Sequence, residues 1–408
     1  MRVAVIFDRL GPYHCARLEA AARQCDVTGI EVAAETQDYG WSSVQGAARY
    51  SRVTLFPGGD TPTMSAKQIS ERVEEALQNC RPDAVAVPGW SDKSALAALR
   101  WCVETGAPAI LMSESAAHDE QRLRWREWIK RQIVDLYSTA LVGGQLHIDY
   151  LVELGMPRKH IFTGYDVVDN DYFARRAIEV RNSKFEIRKE YGLPENYFLA
   201  SARFIKKKNL PTLIRAYAEY RQRPEVRGQR SIVSGSMPRW DLVLLGDGPL
   251  RESLNSQLST LNLHRHVHLP GFRQYNELPV YYALAKAFVH ASTTEQWGLV
   301  VNEAIAAGLP VIVSSRCGCV PELVRDNGFT FDPMNQHELA SRLFEMASSS
   351  HDERERLGHA SLRIATNLGP NRFGEGLKRA AMMALDFPRR KFRAFDRAIL
   401  FGAMRVRR

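Results

Sequence analysis

No apolar run in the 408-residue chain approaches the ~18 residues of a membrane-crossing helix, so the sequence offers no spanning segment. Cysteine is sparse and scattered, at positions 15, 25, 80, 102, 317 and 319. Only the last two are close, and Cys-x-Cys alone is a poor metal signature. The pattern excludes a disulfide framework and reads as reduced thiols in a cytoplasmic protein. There is no fixed-period repeat and no low-complexity tract, which excludes solenoids and disordered arrays. No recognisable nucleic-acid motif is present. The first apolar run, Val3–Phe7, is five residues long and stops at Asp8, which reads as a strand and not as a signal peptide. After that strand stands Asp8-Arg9-Leu10-Gly11-Pro12-Tyr13-His14, without the Gly-x-Gly-x-x-Gly fingerprint of a dinucleotide oxidoreductase.

What is present is a moderately basic, ordinary globular composition. Lys and Arg number 55 against 46 Asp and Glu, and 45% of residues are hydrophobic. The excess suits an anionic substrate or an acidic membrane surface, and no nucleic acid is expected. The length suggests two domains of roughly 200 residues each. Each half alternates short apolar runs with amphipathic segments. In the first half, Arg2–Phe7, Val27–Val32, Arg52–Phe56, Asp83–Pro88, Ala109–Met112, Ala140–Gly143 and Ile161–Val168 read as strands. Residues 169–196 are polar and charged and read as a link. The alternation then restarts at Phe198–Ala202 and continues through Leu242–Leu245, His266–Leu269, Phe288–Ser292 and Pro310–Ser314. Such alternation predicts an α/β fold of two doubly wound parallel sheets with helices on both faces. Ligands of such sheets lie beyond the carboxyl ends of the strands. Domains are expected over 1–180 and 190–370, with a helix near 371–385 that packs back on the first domain and a basic amphipathic tail over 386–408. That tail carries eight Lys or Arg residues interleaved with Phe392, Phe395, Ile399, Leu400 and Phe401. It suits an anionic membrane surface, or equally a terminal helix packed on the protein.

The stretch Ala287–Pro333 concentrates the chemistry. A strand leads to a polar loop with Glu295, then Trp297-Gly298-Leu299 opens a helix that contains Glu303. A helix N-terminus suits a phosphate, and flanking carboxylates suit sugar hydroxyls. An ordinary strand–helix–strand unit with solvated glutamates fits the local pattern as well. Arg203 and Lys208 follow the first strand of the second half and can clamp and neutralise a leaving diphosphate, or form a solvated basic loop. Gly246-Asp247-Gly248-Pro249 follows the next strand and lets a backbone approach a ligand, although tight turns use glycine without one. Gly11-Pro12-Tyr13-His14 is a similar cradle in the first half. His118 and Asp119 form either a base dyad or a local capping pair. Asp169-Asn170-Asp171 spells the Asp-x-Asp of metal-dependent sugar transfer, but it lies at the domain junction and reads as a linker feature.

Taken together, Arg203, Lys208, Gly246–Pro249, Leu269-Pro270-Gly271-Phe272, Glu295, Trp297-Gly298, Glu303 and Gly318-Cys319-Val320-Pro321-Glu322 resemble the retaining glycosyltransferases of the GT-B fold, family 4. The last element carries cysteine where the family has its second glycine. Asp169 and Phe173 sit at the family's domain junction, and Ser113-Glu114-Ser115 stands where many relatives carry a histidine. The resemblance implies two Rossmann-like domains facing a cleft. It also implies a nucleoside-diphosphate sugar of UDP or GDP type as substrate, and no cofactor or metal. Arg203, Lys208, Glu295 and His118 are the implied catalytic residues. Gly11, Gly246, Gly248, Phe272, Trp297, Gly298, Leu299 and Glu303 are the implied donor-binding residues. The expected activity is sugar transfer to a hydroxyl acceptor such as a saccharide or glycolipid, in the cytoplasm or on the inner membrane face. A nucleotide-sugar binding scaffold without turnover is the alternative, and a metal-dependent transferase using Asp169 and Asp171 is a further one.

Overall fold

The computed structural model of the protein describes residues 1–34, 40–41, 48–58, 64–223, 239–386 and 393–405. The chain divides into two compact units. One holds Met1–Asp169 together with Leu368–Arg408, and the other holds Asn170–Asn367.

In the first unit, β1 (Arg2–Phe7), α1 (Pro12–Ala21), β2 (Asp26–Ala33), β3 (Ser51–Phe56), α2 (Ala66–Cys80), β4 (Ala84–Pro88) and α3 (Lys93–Thr105) are followed by β5 (Ala109–Ser113), α4 (Arg124–Val134), β6 (Thr139–Val142), α5 (Gln145–Glu153) and β7 (Ile161–Thr163). The strands are parallel throughout, in the order β3-β2-β1-β4-β5-β6-β7. Helices cover both faces, so β5 reads Ala-Ile-Leu-Met-Ser and is buried at every position. Helix boundaries follow local chemistry. Ser65 and Gln68 exchange hydrogen bonds at the start of α2, and Gly106 ends α3 at φ 74°.

The second unit opens with α6 (Asn170–Asn182) and α7 (Lys184–Glu190). It continues with β8 (Tyr197–Ser201), α8 (Leu210–Gln222), β9 (Asp241–Leu245), α9 (Arg251–Thr260), β10 (Val267–Gly271), α10 (Leu278–Leu284), β11 (Ala287–His290) and α11 (Leu299–Ala306). Then come β12 (Val311–Ser314), α12 (Val320–Leu323), β13 (Gly328–Phe331), α13 (Gln336–Ser348) and α14 (His351–Thr366). Its sheet is also parallel, in the order β10-β9-β8-β11-β12-β13. Phe198, Leu242, Leu244, Val289 and Ile312 carry its core, with Tyr217 and Trp240 beside them.

Three expectations change. Residues 170–190 are not a link: α6 is the first helix of the second unit, and Phe173, Ala177 and Val180 are buried along one face of it. The polar reading came from the opposite, solvated face. The last strand of the first unit stops at Thr163, because Gly164 turns away at φ 117°, where a Cβ would sit 2.5 Å from the Arg372 carbonyl oxygen. The tail forms α16 (Ala394–Arg405), and Leu400 is buried in the core shared by α3 and β4 with Ile399 packed beside it. Leu400 and Ile399 thus face the first unit, and the side chains of Phe395 and Phe401 lie outside the described residues. The basic run over 389–391, Phe392 and residues 406–408 lie outside the described residues.

The helix α15 (Pro370–Asp386) completes the first unit from the far end of the chain. Phe373, Leu377, Ala380 and Ala381 join the core of β1, β4 and β5. Two glycines allow the approach. A Cβ on Gly374 would sit 2.7 Å from the carbonyl oxygen of Ala20, and one on Gly376 would sit 2.5 Å from that of Thr163. Gly376→Ala should therefore lower stability by about 1–3 kcal/mol through overpacking against backbone. The readout is a lower urea midpoint. Gly58→Ala, where an added Cβ meets nothing within 4 Å, is the control that should leave the midpoint in place.

Candidate active site

In the second sheet the strand order reverses between β8 and β11. Connections leave these two neighbours toward opposite sides, which opens a crevice at their carboxyl ends. The loop after β8 carries Arg203 and Lys208, and the loop after β11 carries Glu295. Buried Phe204 anchors the first loop, and Lys206–Lys208 form a single tight turn. The two loops are joined by backbone, since Thr293 N–H donates to the Lys207 carbonyl at 2.8 Å.

Across that junction the Lys208 ammonium donates to Oε2 of Glu295. Lys207 Nζ lies 3.8 Å from Oε1. His290 Nε2 is 3.4 Å from Oε2, and Ser292 Oγ donates to the same oxygen at 3.2 Å. His290 and Ser292 stand two residues apart at the end of a strand, so both face the same way. Burial alone would raise the Glu295 carboxyl. The His290 contact and the Lys208 ammonium outweigh it and hold the group well below the usual carboxylate range. Burial keeps His290 neutral despite the carboxylate beside it. The result is a fixed anion with a half-buried cation in contact, placed at the switch point of the sheet.

Backbone bonds tie a third loop to this pair. Gly318 N–H donates to the Glu295 carbonyl at 2.9 Å and Cys319 N–H to that of Trp297 at 3.3 Å. Cys319 has φ −81° and ψ −9°, helical values that any residue adopts, so cysteine replaces glycine here without backbone strain. Gly298 has φ 108° and begins α11, whose first residues Leu299 and Val300 are half-exposed. The first amides of a helix and its dipole carry positive charge, which suits an anion. The Trp297 side chain differs from expectation. It is 1% exposed and its indole N–H donates to Asn302 Oδ1 at 2.8 Å, so it braces the loop from within. Glu303 is fully buried, and Tyr282 donates its hydroxyl to Oε2 at 2.5 Å.

The Gly-Asp-Gly-Pro turn after β9 has a structural reason for both glycines. Gly246 has φ 123°, and a Cβ there would sit 1.9 Å from the Ala202 carbonyl oxygen. Gly248 has φ 149°, and a Cβ would meet the Phe204 backbone at 2.9 Å. Phe204 N–H donates to the Asp247 carbonyl at 2.7 Å, and Gly246 N–H to that of Gly271 at 3.0 Å. The turn thus wedges against the Arg203 loop and fixes its path. Arg203 is exposed, as is Phe272 just past β10.

The first unit holds the remaining candidates. Gly11 caps α1, and its N–H is taken by His14 Nδ1 at 3.2 Å. Burial, with Arg17 nearby, lowers the His14 imidazole to about 3. His118 Nε2 is 3.9 Å from Asp119, outside hydrogen-bond reach, and Asp119 Oδ2 instead accepts the Ala116 N–H at 2.7 Å. The Asp119–Ala116 bond is a local turn contact. The sequence reading missed His290, Ser292, Tyr282 and Asn302, which hold the second unit's glutamates and tryptophan. It also missed buried Asp166, whose carboxyl is pushed well up by burial and by Glu114, with Arg17 opposing. Only the alternation of His290 and Ser292 at a strand end signalled any of these in one dimension.

Residues 183–363 match the family model described as glycosyl transferases group 1. That segment is similar to the glycosyl transferases group 1. Among curated relatives, the alpha-monoglucosyldiacylglycerol synthase of Streptococcus pneumoniae is 28% identical over 209 residues, covering 51% of this chain and 43% of its own. Probable sucrose-phosphate synthase 4 of Oryza sativa is 30% identical over 155 residues, covering 37% of this chain and 14% of its own. The chain therefore spans less than half the length of these relatives. The fold is shared with solved glycosyltransferase-type structures. HepE of Anabaena, solved in complex with UDP, superposes with a TM-score of 0.66 at 17% identity, covering 92% of this chain and 98% of that one.

The electrostatics of Glu295 carry a pH signature. A carboxyl held low in the folded state gives stability that is complete above its ordinary value near 4.5 and is lost as pH falls toward its folded value. Thermal unfolding should therefore shift down steeply below about pH 4.5, and Glu295→Gln should flatten the slope in that window. Melting temperatures from pH 7 down to 3 in both chains measure this.

Proposed function

We propose that the protein is a retaining glycosyltransferase that moves a sugar from a nucleoside-diphosphate sugar of UDP or GDP type to a hydroxyl acceptor. The observation that carries the reading is the Lys208–Glu295 pair, held across the switch point of a parallel sheet beside the opening turn of α11. An anion that binds sugar hydroxyls and a cation that binds phosphate are what the two halves of such a donor require.

In this reading the diphosphate lies between Arg203, Lys208 and the first amides of α11. An ammonium has three N–H donors, and Lys208 spends one on Glu295, so it can serve both partners. Glu295 accepts hydrogen bonds from the sugar. Glu303 takes the ribose hydroxyls, with its orientation set by Tyr282. The base stacks near exposed Phe272. As the bond from the anomeric carbon to the diphosphate oxygen breaks, the leaving group gains negative charge where the cations and helix end stand. The acceptor oxygen bonds to that carbon from the same face, and its proton passes to the departing phosphate oxygen. No enzyme nucleophile is needed, in contrast to retaining hydrolases. Two cations and a helix dipole supply the charge stabilisation, so the reaction proceeds without a metal ion.

The acceptor is a saccharide or a glycolipid, as the names of the matched synthases suggest for those proteins. The glycolipid case brings the enzyme to an inner membrane face as a peripheral protein. Helix α4 supports that placement: Trp125 and Trp128 are 58% and 50% exposed one turn apart, flanked by exposed Arg124 and Arg131. Aromatic rings with adjacent cations suit an anionic lipid interface.

Three measurements test these statements. Arg203→Ala should lower kcat/KM by about 100-fold or more, the order seen when one charge-stabilising donor is lost, while activity survives a chelator. A thermal-shift screen of UDP-, GDP- and ADP-sugars should give a concentration-dependent rise with one base. A rise without any wild-type transfer would mean a binding protein, and no rise with any donor would overturn the reading. Trp125→Ala with Trp128→Ala should reduce co-sedimentation with anionic vesicles by roughly 10-fold or more, given the apolar area withdrawn.

A further inference from the structure

The amino end of the second sheet carries a feature that sugar transfer does not use. There, at the amino ends of β11 and β12, a cavity of about 480 Å³ is lined by Arg181, Lys184, Arg188, Lys286 and Arg354. These come from α6, α7, the residue before β11, and α14. Among the described residues, none of the five has a carboxylate oxygen within 4.0 Å of its charged nitrogens. Glu355, the carboxylate of the lining, lies 3.5 Å from His351.

The cations are held in place by the fold. Arg181 donates to the carbonyls of Ala283 at 3.1 Å and Ala307 at 2.6 Å, the ends of α10 and α11. Arg354 donates to the Ser349 carbonyl and lies over the Trp240 ring at 5.2 Å. Arg188 Nε is buried without an acceptor. Lys286 is half-buried, and burial together with the charges of Arg188 and Arg354 lowers its ammonium, with Glu195 opposing. Folding thus gathers like charges on rigid elements, an arrangement that opposes folding unless something anionic completes it.

We propose that this cavity is a second anion site, separate from the candidate active site, that takes a phosphate-class oxyanion, free or carried on a small metabolite. A phosphate group offers several acceptor oxygens to converging guanidinium and ammonium donors. The cavity volume leaves room for a small group attached to it. Lys286 stands at the strand end, Arg188 lines the wall beside it, and Arg354 and Lys184 close the sides. A ligand there ties α7 and α14 to the start of β11.

The test is thermal unfolding at constant ionic strength with low-millimolar inorganic phosphate, pyrophosphate or glucose 6-phosphate against chloride. At these concentrations general salting effects are small. Binding should raise the melting temperature by at least about 2 °C with one or more of the three. An equal rise with inorganic phosphate indicates the free ion, and a larger one with the sugar phosphate indicates a metabolite. The rise should persist in Arg203→Ala, which weakens the proposed donor site, and vanish in Lys286→Met. Without ligand, Lys286→Met should melt at or above the parent temperature, because it removes one of the clustered charges. Arg188→Gln provides a second variant that should also lose the rise. A rise no greater than that with chloride would overturn the site. So would one lost with Arg203→Ala but kept in Lys286→Met, which would assign the anion to the candidate active site.

Discussion

The contact between Lys208 and Glu295 is the constraint around which the second unit is arranged. It joins loops from two strands that are adjacent in the sheet but 87 residues apart in sequence. The carboxylate is nearly out of water, a costly place for a charge. It stays ionised because Lys208, Ser292 and His290 all turn toward it. Each of these depends on the parallel pairing of β8 and β11 to bring its backbone to the right height. A change in that register would move two cations and a carboxylate together.

The surrounding loops serve this pair more than they present surface of their own. Gly246 and Gly248 let the β9 turn press against the Arg203 loop at distances that no side chain permits. Trp297 and Asn302 close the interior beneath Gly298. Gly318 and Cys319 bind the far side of the Glu295 loop through main chain alone. Residues that look like ligand contacts in one dimension are in part supports, and the supports make the exposed Arg203, the helix opening and the carboxylate hold still.

Much of the fold was legible because parallel strands covered on both faces are continuous apolar runs. Val3–Phe7, Ala109–Met112 and Phe288–Ser292 declared themselves in this way, the last ending at His290 in the structure. Where the reading failed, the cause was local ambiguity. Val167 and Val168 are buried and apolar, so the last strand of the first unit was drawn too long, and only Gly164 and the approach of α15 end it. Residues 170–190 read as a link because their charges face water, although Phe173, Ala177 and Val180 hold helical spacing. In the tail, basic and apolar residues alternate in a way that suits a membrane surface or a helix packed on protein, and Leu400 is buried in protein.

The sequence by itself determined the alternation of strands and helices, the doubled α/β class and the residue types of the candidate site. These depend on side-chain period, glycine placement and charge, all of which are local. Tertiary structure decided which charges meet. Lys208 meets Glu295 because β8 and β11 are neighbours, and strand order is a long-range property that no local period encodes. It also decided that Trp297 faces inward and that Asp119 accepts the Ala116 N–H. It assigned α15 to the first unit through contacts made across more than 200 residues of chain. The five cations at the amino end of the sheet lie scattered between 181 and 354 in sequence and converge only when the sheet is built.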